Sequence, residues 1–118
     1  MEIELAKIAQ KREIFEIYKE CRIKLDSKGI HQWNSNYPTL EITENDILNS
    51  YLYTLSIKEE IVGAISINSV AEEQYKKVKW INGTEKFVVI HRLVVKPKHQ
   101  YLGYGKVLMN FAETIFTL

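Results

Sequence analysis

The sequence predicts a mixed α/β fold, a mainly antiparallel sheet flanked by helices. Three patterns carry that expectation. Apolar and polar residues alternate at the N-terminus, apolar residues recur at helical spacing in several segments, and a block of strand-like runs lies before the last of those segments. The 118 residues fit one domain, expected to span the whole chain from 1 to 118.

Residues 2–6 alternate as a short half-buried strand does. From about Gln10 to Lys28 the period changes: Ile14, Ile17, Tyr18, Cys21 and Leu25 fall on one helical face, and Gly29 is a natural stop. Cys21 reads there as a small core residue, since no sequence neighbour activates it. Residues 29–39 form a loop rich in aromatics and amides. Thr39 then caps a second helix to about Asn49, with Leu40, Ile47 and Leu48 as its apolar contacts.

Tyr51–Ile57 and Ile61–Ile67 are strand-like runs joined by the turn Lys58-Glu59-Glu60. The charged stretch 71–79 suits one helical turn, and Asn82-Gly83 signals a turn. Phe87–Val95 is the most β-prone segment, and Pro97 ends it. Leu108, Phe111, Ala112 and Ile115 then recur at helical spacing, which gives the order β–α–α–β–β–β–α.

Composition removes several classes of function. With 46% hydrophobic and 26% charged residues the chain is not a disordered segment. Sixteen Lys and Arg balance fifteen Asp and Glu, so nothing in the bulk charge attracts nucleic acid or an anionic membrane. Cys21 is the sole cysteine, which excludes an internal disulfide and a cysteine-rich zinc site. His31 and His99 lack carboxylate neighbours at ligand spacing, and no metal is predicted. No apolar run reaches the roughly 18 residues of a membrane span, and the alternating N-terminus is unlike a signal peptide. A cytoplasmic address is expected.

The chemistry concentrates in residues 93–106, where a strand ends, a loop turns and a helix begins with Gly103 and Gly105. A helix N-terminus offers unpaired N–H groups and a partial positive charge, and glycine lets a ligand approach the backbone. Lys96, Lys98 and Lys106 add charge, so the physics alone points to a pyrophosphate cradle. Neither a Rossmann fingerprint nor a P-loop fits: Leu108 stands where the first needs a small residue, and Val107 follows Gly105-Lys106 where the second needs Ser or Thr.

Gln100-Tyr101-Leu102-Gly103-Tyr104-Gly105 matches Q/R-x-x-G-x-G/A, the acetyl-coenzyme A signature of the GCN5-related N-acetyltransferases (GNAT). Leu93-Val94-Val95-Lys96-Pro97 resembles that family's fourth strand and its exit, and Gly63 sits where its third strand commonly has a glycine. The resemblance covers nearly the whole chain and implies the N-terminal portion of an acyl-coenzyme A N-acyltransferase-like fold. It also implies a coenzyme site. The pantetheine arm would pair with Leu93, Val94 and Val95 as an added strand, and the pyrophosphate would sit on Gln100, Tyr101, Leu102, Gly103, Tyr104, Gly105 and Lys106. A bulge usually splays the family's fourth strand from its fifth.

Family members normally continue with a fifth strand, a fourth helix and a hairpin, roughly 40–50 residues more, and often draw a tyrosine general acid from there. This sequence stops at Leu118, so a C-terminally incomplete or reduced member is expected.

His91 is the candidate general base. It lies two residues before Leu93, on the same face by strand alternation, and a histidine suits deprotonation of an ammonium substrate; the alternative is a merely structural strand histidine. Arg92 points the other way and is expected to pair with a carboxylate. Trp33, Tyr37 and Trp80 flank loops that border the family's acceptor side. They would wall an amine with an apolar body, its charge met by Glu72 or Glu73, although core packing explains each aromatic equally well.

Two functions of different class follow. One is acetyl transfer from acetyl-coenzyme A to a primary amine on a small molecule or peptide; the other is a catalytically impaired coenzyme A-binding or assembly module. A phosphate- or nucleotide-binding regulator comes third. The apolar strand Phe87–Val95, with Phe111, Ile115 and Phe116 of the last helix partly uncovered, predicts a homodimer.

Overall fold

The computed structural model describes residues 1–31, 33–35, 37–68 and 89–115. The expected turns at 71–79 and 82–83, and the residues Glu72, Glu73, Trp80, Phe87 and Phe116, lie outside the described residues.

Strand β1 is Glu2–Leu5. After a 3₁₀ turn at Ile8–Gln10, helix α1 runs over Lys11–Ser27 and buries Ile14, Ile17, Tyr18 and Cys21 on one face. Its end has a local cause. Gly29 adopts φ +77°, and the Ile30 N–H reaches back to the Leu25 carbonyl at 2.9 Å, closing the last turn. Helix α2 is Leu40–Leu48, with Thr39 Oγ1 accepting the Ile42 N–H at 3.1 Å. The buried face of α2 departs from the apolar reading: Leu48 is exposed, whereas Thr43 and Asp46 are buried. Asp46 has a partner on the sheet, and that pairing sets the rotation of the helix.

Strands β2 (Leu52–Ile57), β3 (Glu60–Asn68) and β4 (Val89–Val95) follow, then helix α3 (Tyr104–Ile115). The β2–β3 connection is tighter than its sequence suggests. Lys58 and Glu59 both adopt left-handed φ (51° and 69°), the pattern of a type I′ hairpin turn, and Glu60 already belongs to β3. The sheet is antiparallel in the order β1-β2-β3-β4.

Apolar side chains fill both faces of the sheet. Ile14, Ile17, Tyr18, Ile47, Leu52, Ile61, Ala64 and Val94 pack beneath α1 and α2. Leu55, Val62, Ile65, Ile67, Leu108 and Ala112 pack beneath α3. The half-buried Phe111 of α3 meets Tyr53 edge to face, with ring centres 5.0 Å apart. Gly63 makes the second layer possible: a Cβ there would stand 2.9 Å from the Val94 carbonyl oxygen and 3.2 Å from Leu108 Cδ1. Only glycine lets β3, β4 and α3 approach so closely.

Candidate functional site

Strand β4 holds one extra residue. Ser66 opposes Arg92 and Ile67 opposes Ile90, which leaves His91 as the bulged position. The bulge breaks the alternation on which the facing of His91 was read: Ile90 and Leu93, three residues apart, both pack on the α3 layer. Strand parity therefore does not place His91 on the Leu93 face. Its side chain is half-buried and makes no hydrogen bond among the described residues.

Arg92 turns inward as expected. Its guanidinium forms a buried ion pair with Asp46 of α2, donates to Tyr37 Oη at 2.7 Å and lies 5.6 Å from the Tyr37 ring centre. Ser66 Oγ donates to Asp46 Oδ2 at 3.0 Å. Burial alone would lower the guanidinium's pKa, but the Asp46 charge and hydrogen bond outweigh it and raise it. Tyr18 lies beside this group, its hydroxyl pushed upward chiefly by burial. Tyr37 is thus a strut from the α1–α2 loop to β4, while Trp33 is buried edge-on against Tyr18, ring centres 6.0 Å apart. Trp80 lies outside the described residues.

The far edge of β4 carries its own pattern. The Lys96 N–H donates to the Val62 carbonyl at 2.7 Å, so by antiparallel alternation Val94 directs its backbone groups at β3, whereas Leu93 and Val95 direct theirs away from the sheet. This differs from the expectation that all three could pair outward. The Val95 carbonyl is already held by Gln100 Nε2 at 2.9 Å and by the Cys21 thiol at 3.3 Å. Burial pushes that thiol up to about 11, so Cys21 is a neutral hydrogen-bond donor and a core residue.

Beyond β4, Pro97–His99 makes a 3₁₀ turn. Its basic side chains are drawn to one carboxylate: Lys96 Nζ and Lys98 Nζ lie 3.4 Å, and His99 Nε2 3.2 Å, from Glu60 Oε2. The His99 hydrogen bond and then the lysines lower the Glu60 pKa. The hairpin turn thereby anchors the loop. Tyr101 (φ +67°) and Gly103 (φ +89°) are left-handed and swing the chain into α3, where Gly103 O accepts the Val107 N–H at 3.1 Å. The N–H groups of Tyr104, Gly105 and Lys106 therefore have no acceptor within the helix. A Cβ on Gly105 would meet nothing within 4 Å, so the chain's own packing does not require glycine there; the space is open to a ligand. An open cavity of about 320 Å³ lies here, lined by Leu93, Val95, His99, Gln100, Tyr101, Gly103, Tyr104 and Gly105. Leu102 and Lys106 lie outside that lining, exposed beside it, and Val94 is buried toward α1. What sequence reasoning missed is α1, whose Lys24 donates to Gln100 Oε1 at 2.6 Å; no local signal links residues so far apart.

Among the described residues no cluster of three or more His, Cys, Asp or Glu could hold a metal ion, and no helix is long and apolar enough to cross a membrane.

Comparison with known proteins places this arrangement. An assigned acetyltransferase from Staphylococcus aureus Mu50 is 28% identical, with a TM-score of 0.74; the match covers 98% of this chain and 71% of that one. A GNAT-family acetyltransferase from Streptococcus agalactiae 2603 is 20% identical with a TM-score of 0.85, covering 98% and 70%. The PaiA N-acetyltransferase of Thermoplasma acidophilum, solved in complex with coenzyme A, is 19% identical with a TM-score of 0.72, covering 98% and 70%. The sheet and helices thus have the acyl-coenzyme A N-acyltransferase-like fold. No curated protein sequence gives a significant match. The model of the acetyltransferase (GNAT) family matches residues 11–117, from the first turn of α1 through the whole of α3, and the chain belongs to that family.

Proposed function

We propose that this protein transfers an acetyl group from acetyl-coenzyme A to a primary amine. One observation carries the reading: the outward edge of β4 runs into a loop whose glycines and helix start form an open, N–H-lined cradle. Gly105 fits that reading: it lines the cavity, and a Cβ there would meet nothing within 4 Å, so the fold itself leaves the space open. Family membership and the coenzyme A complex of the Thermoplasma relative support the same assignment.

The coenzyme supplies an activated acyl thioester. Leu93 and Val95 offer backbone groups to its arm, and the N–H groups at the start of α3 hold its phosphates. Holding both reactants turns a bimolecular aminolysis into a local one, and a β4 N–H directed off the sheet suits stabilisation of the developing oxyanion. His91, at the bulge, is the residue we assign to remove the proton from the ammonium form of the acceptor. Tyr37, partly exposed and hydrogen-bonded to Arg92 of β4, is proposed to border that acceptor, and the cytoplasm is the proposed location.

The test is thiol release from acetyl-coenzyme A with a panel of amines, run beside calorimetric titration with coenzyme A. Turnover with any amine supports transfer. Binding without turnover would instead support a coenzyme-binding module, and absence of binding would overturn both. Self-association along β4, the strand at the end of the sheet order, is a further proposal; sedimentation as a monomer at micromolar concentration would remove it.

A further inference from the structure

The cations around the loop divide into two sets. Those on the loop itself, Lys96, Lys98 and His99, are gathered by Glu60. Those arriving from α1 form no ion pair with a carboxylate among the described residues. Lys24 Nζ donates to Gln100 Oε1 at 2.6 Å and stands 5.1 Å from the Tyr101 ring centre. Lys28 Nζ donates to Tyr101 Oη at 3.3 Å. Neither lysine has a carboxylate partner among the described residues; nearby Asp26 pairs with His31. Together they lower the pKa of the Tyr101 hydroxyl, the Lys28 hydrogen bond contributing most.

These lysines line a second cavity of about 240 Å³, between α1 and β4. Trp33, Cys21 and Leu25 form its apolar wall, and no carboxylate among the described residues contributes to the lining. The cavity shares Leu93, Val95 and Gln100 with the cradle. Two anion-seeking surfaces therefore meet along one cleft, separated by the Gln100–Tyr101 step. One is made of backbone N–H groups, the other of two ammonium groups one helical turn apart. A ligand with two phosphate groups on one ribose matches that division, and coenzyme A carries a pyrophosphate on its 5′ oxygen and a separate phosphate on its 3′ oxygen.

We propose that Lys24 and Lys28 form a subsite for the 3′-phosphate of the acyl-coenzyme A, so that the protein selects the 3′-phosphorylated coenzyme over its dephosphorylated precursor. This rests on the acetyltransferase reading. The cradle fixes the pyrophosphate by geometry, whereas the lysines act as mobile point charges on the neighbouring group. Lys24 also supports Gln100, so Lys28 is the cleaner probe of charge alone.

Calorimetric titration of the full chain with coenzyme A and with 3′-dephospho-coenzyme A tests the assignment. The wild type should prefer coenzyme A by about tenfold or more, the scale of one charge-assisted hydrogen bond. Lys28→Ala should reduce the preference without changing the melting temperature. Lys24→Ala with Lys28→Ala should abolish it, and the paired Lys→Arg variant should keep it. The preference should also shrink as salt rises. Equal affinity of the wild type for the two ligands, or an undiminished preference in the double alanine variant, would overturn the subsite while leaving the acetyltransferase reading intact. Failure of the wild type to bind either ligand would overturn the coenzyme reading itself, and the subsite with it.

Discussion

Arg92 of β4 and Asp46 of α2 form a buried ion pair that ties the helix layer to the strand carrying the candidate base. The pair is completed by Ser66 Oγ on Asp46 and Tyr37 Oη on Arg92, so one guanidinium links α2, β3, β4 and the α1–α2 loop. Removing one member leaves the other charge buried and uncompensated. Asp46→Ala should therefore destabilise the protein by about 3 kcal/mol in urea denaturation. Tyr37→Phe, which removes one hydrogen bond, should cost only about 1 kcal/mol. Equal losses from the two would show that the ion pair does not organise the group.

Gly63 is set by packing. An added Cβ meets the Val94 carbonyl oxygen and Leu108 in both directions, and the backbone oxygen cannot move without shifting β4. Gly63→Ala should destabilise by about 1–3 kcal/mol, as overpacking does. An unchanged thermal midpoint would mean that β4 and α3 are less closely seated on β3.

The two loop glycines should behave differently. Gly105→Val places its side chain in open space, so the melting temperature should be retained while coenzyme A affinity falls at least about tenfold, since the phosphate can no longer approach the N–H groups. Gly103→Val forces a branched residue to φ +89° and should lose stability as well, by about 1–3 kcal/mol. Wild-type affinity in a folded Gly105→Val protein would place the phosphates elsewhere.

His91→Ala should lower kcat with little change in the affinity for coenzyme A, and should flatten the acidic limb of the pH–rate profile. A profile that keeps its shape leaves His91 as the bulge residue of β4 and nothing more.

Cys21 gives a pH dependence with a definite sign. Its folded pKa, pushed up to about 11 by burial, exceeds the ordinary thiol value of 9.0. The unfolded chain therefore loses the thiol proton first as pH rises. The contribution is fully present well below pH 9, and about 2 kcal/mol of it is lost by pH 11. Cys21→Ala should remove this part of the alkaline decline in chemical denaturation, and the native thiol should resist iodoacetamide at pH 8. Rapid alkylation of the folded protein would contradict its burial.

Much of the framework was legible because its signals are local. Thr39 caps α2 through a residue three positions on, Gly29 ends α1 through its own φ, and the hexad from Gln100 to Gly105 builds its turn from adjacent residues. Each is decided by forces acting within one turn of chain. The tertiary structure decided what depends on distant partners. Asp46 is inside because Arg92, 46 residues away, pairs with it. The facing of His91 does not follow from strand alternation because Ser66 and Ile67 on β3 oppose Arg92 and Ile90 and leave it over. Val94 faces inward because its register with Ala64 is fixed by the whole β3–β4 ladder. Lys24 and Lys28 reach Gln100 and Tyr101 only because packing on the sheet lays α1 beside the loop. Sequence by itself determined the elements, their order and the turn into α3; packing decided which side chains from separate elements meet there, since burial energy is collected over the whole core and no short stretch of sequence encodes it.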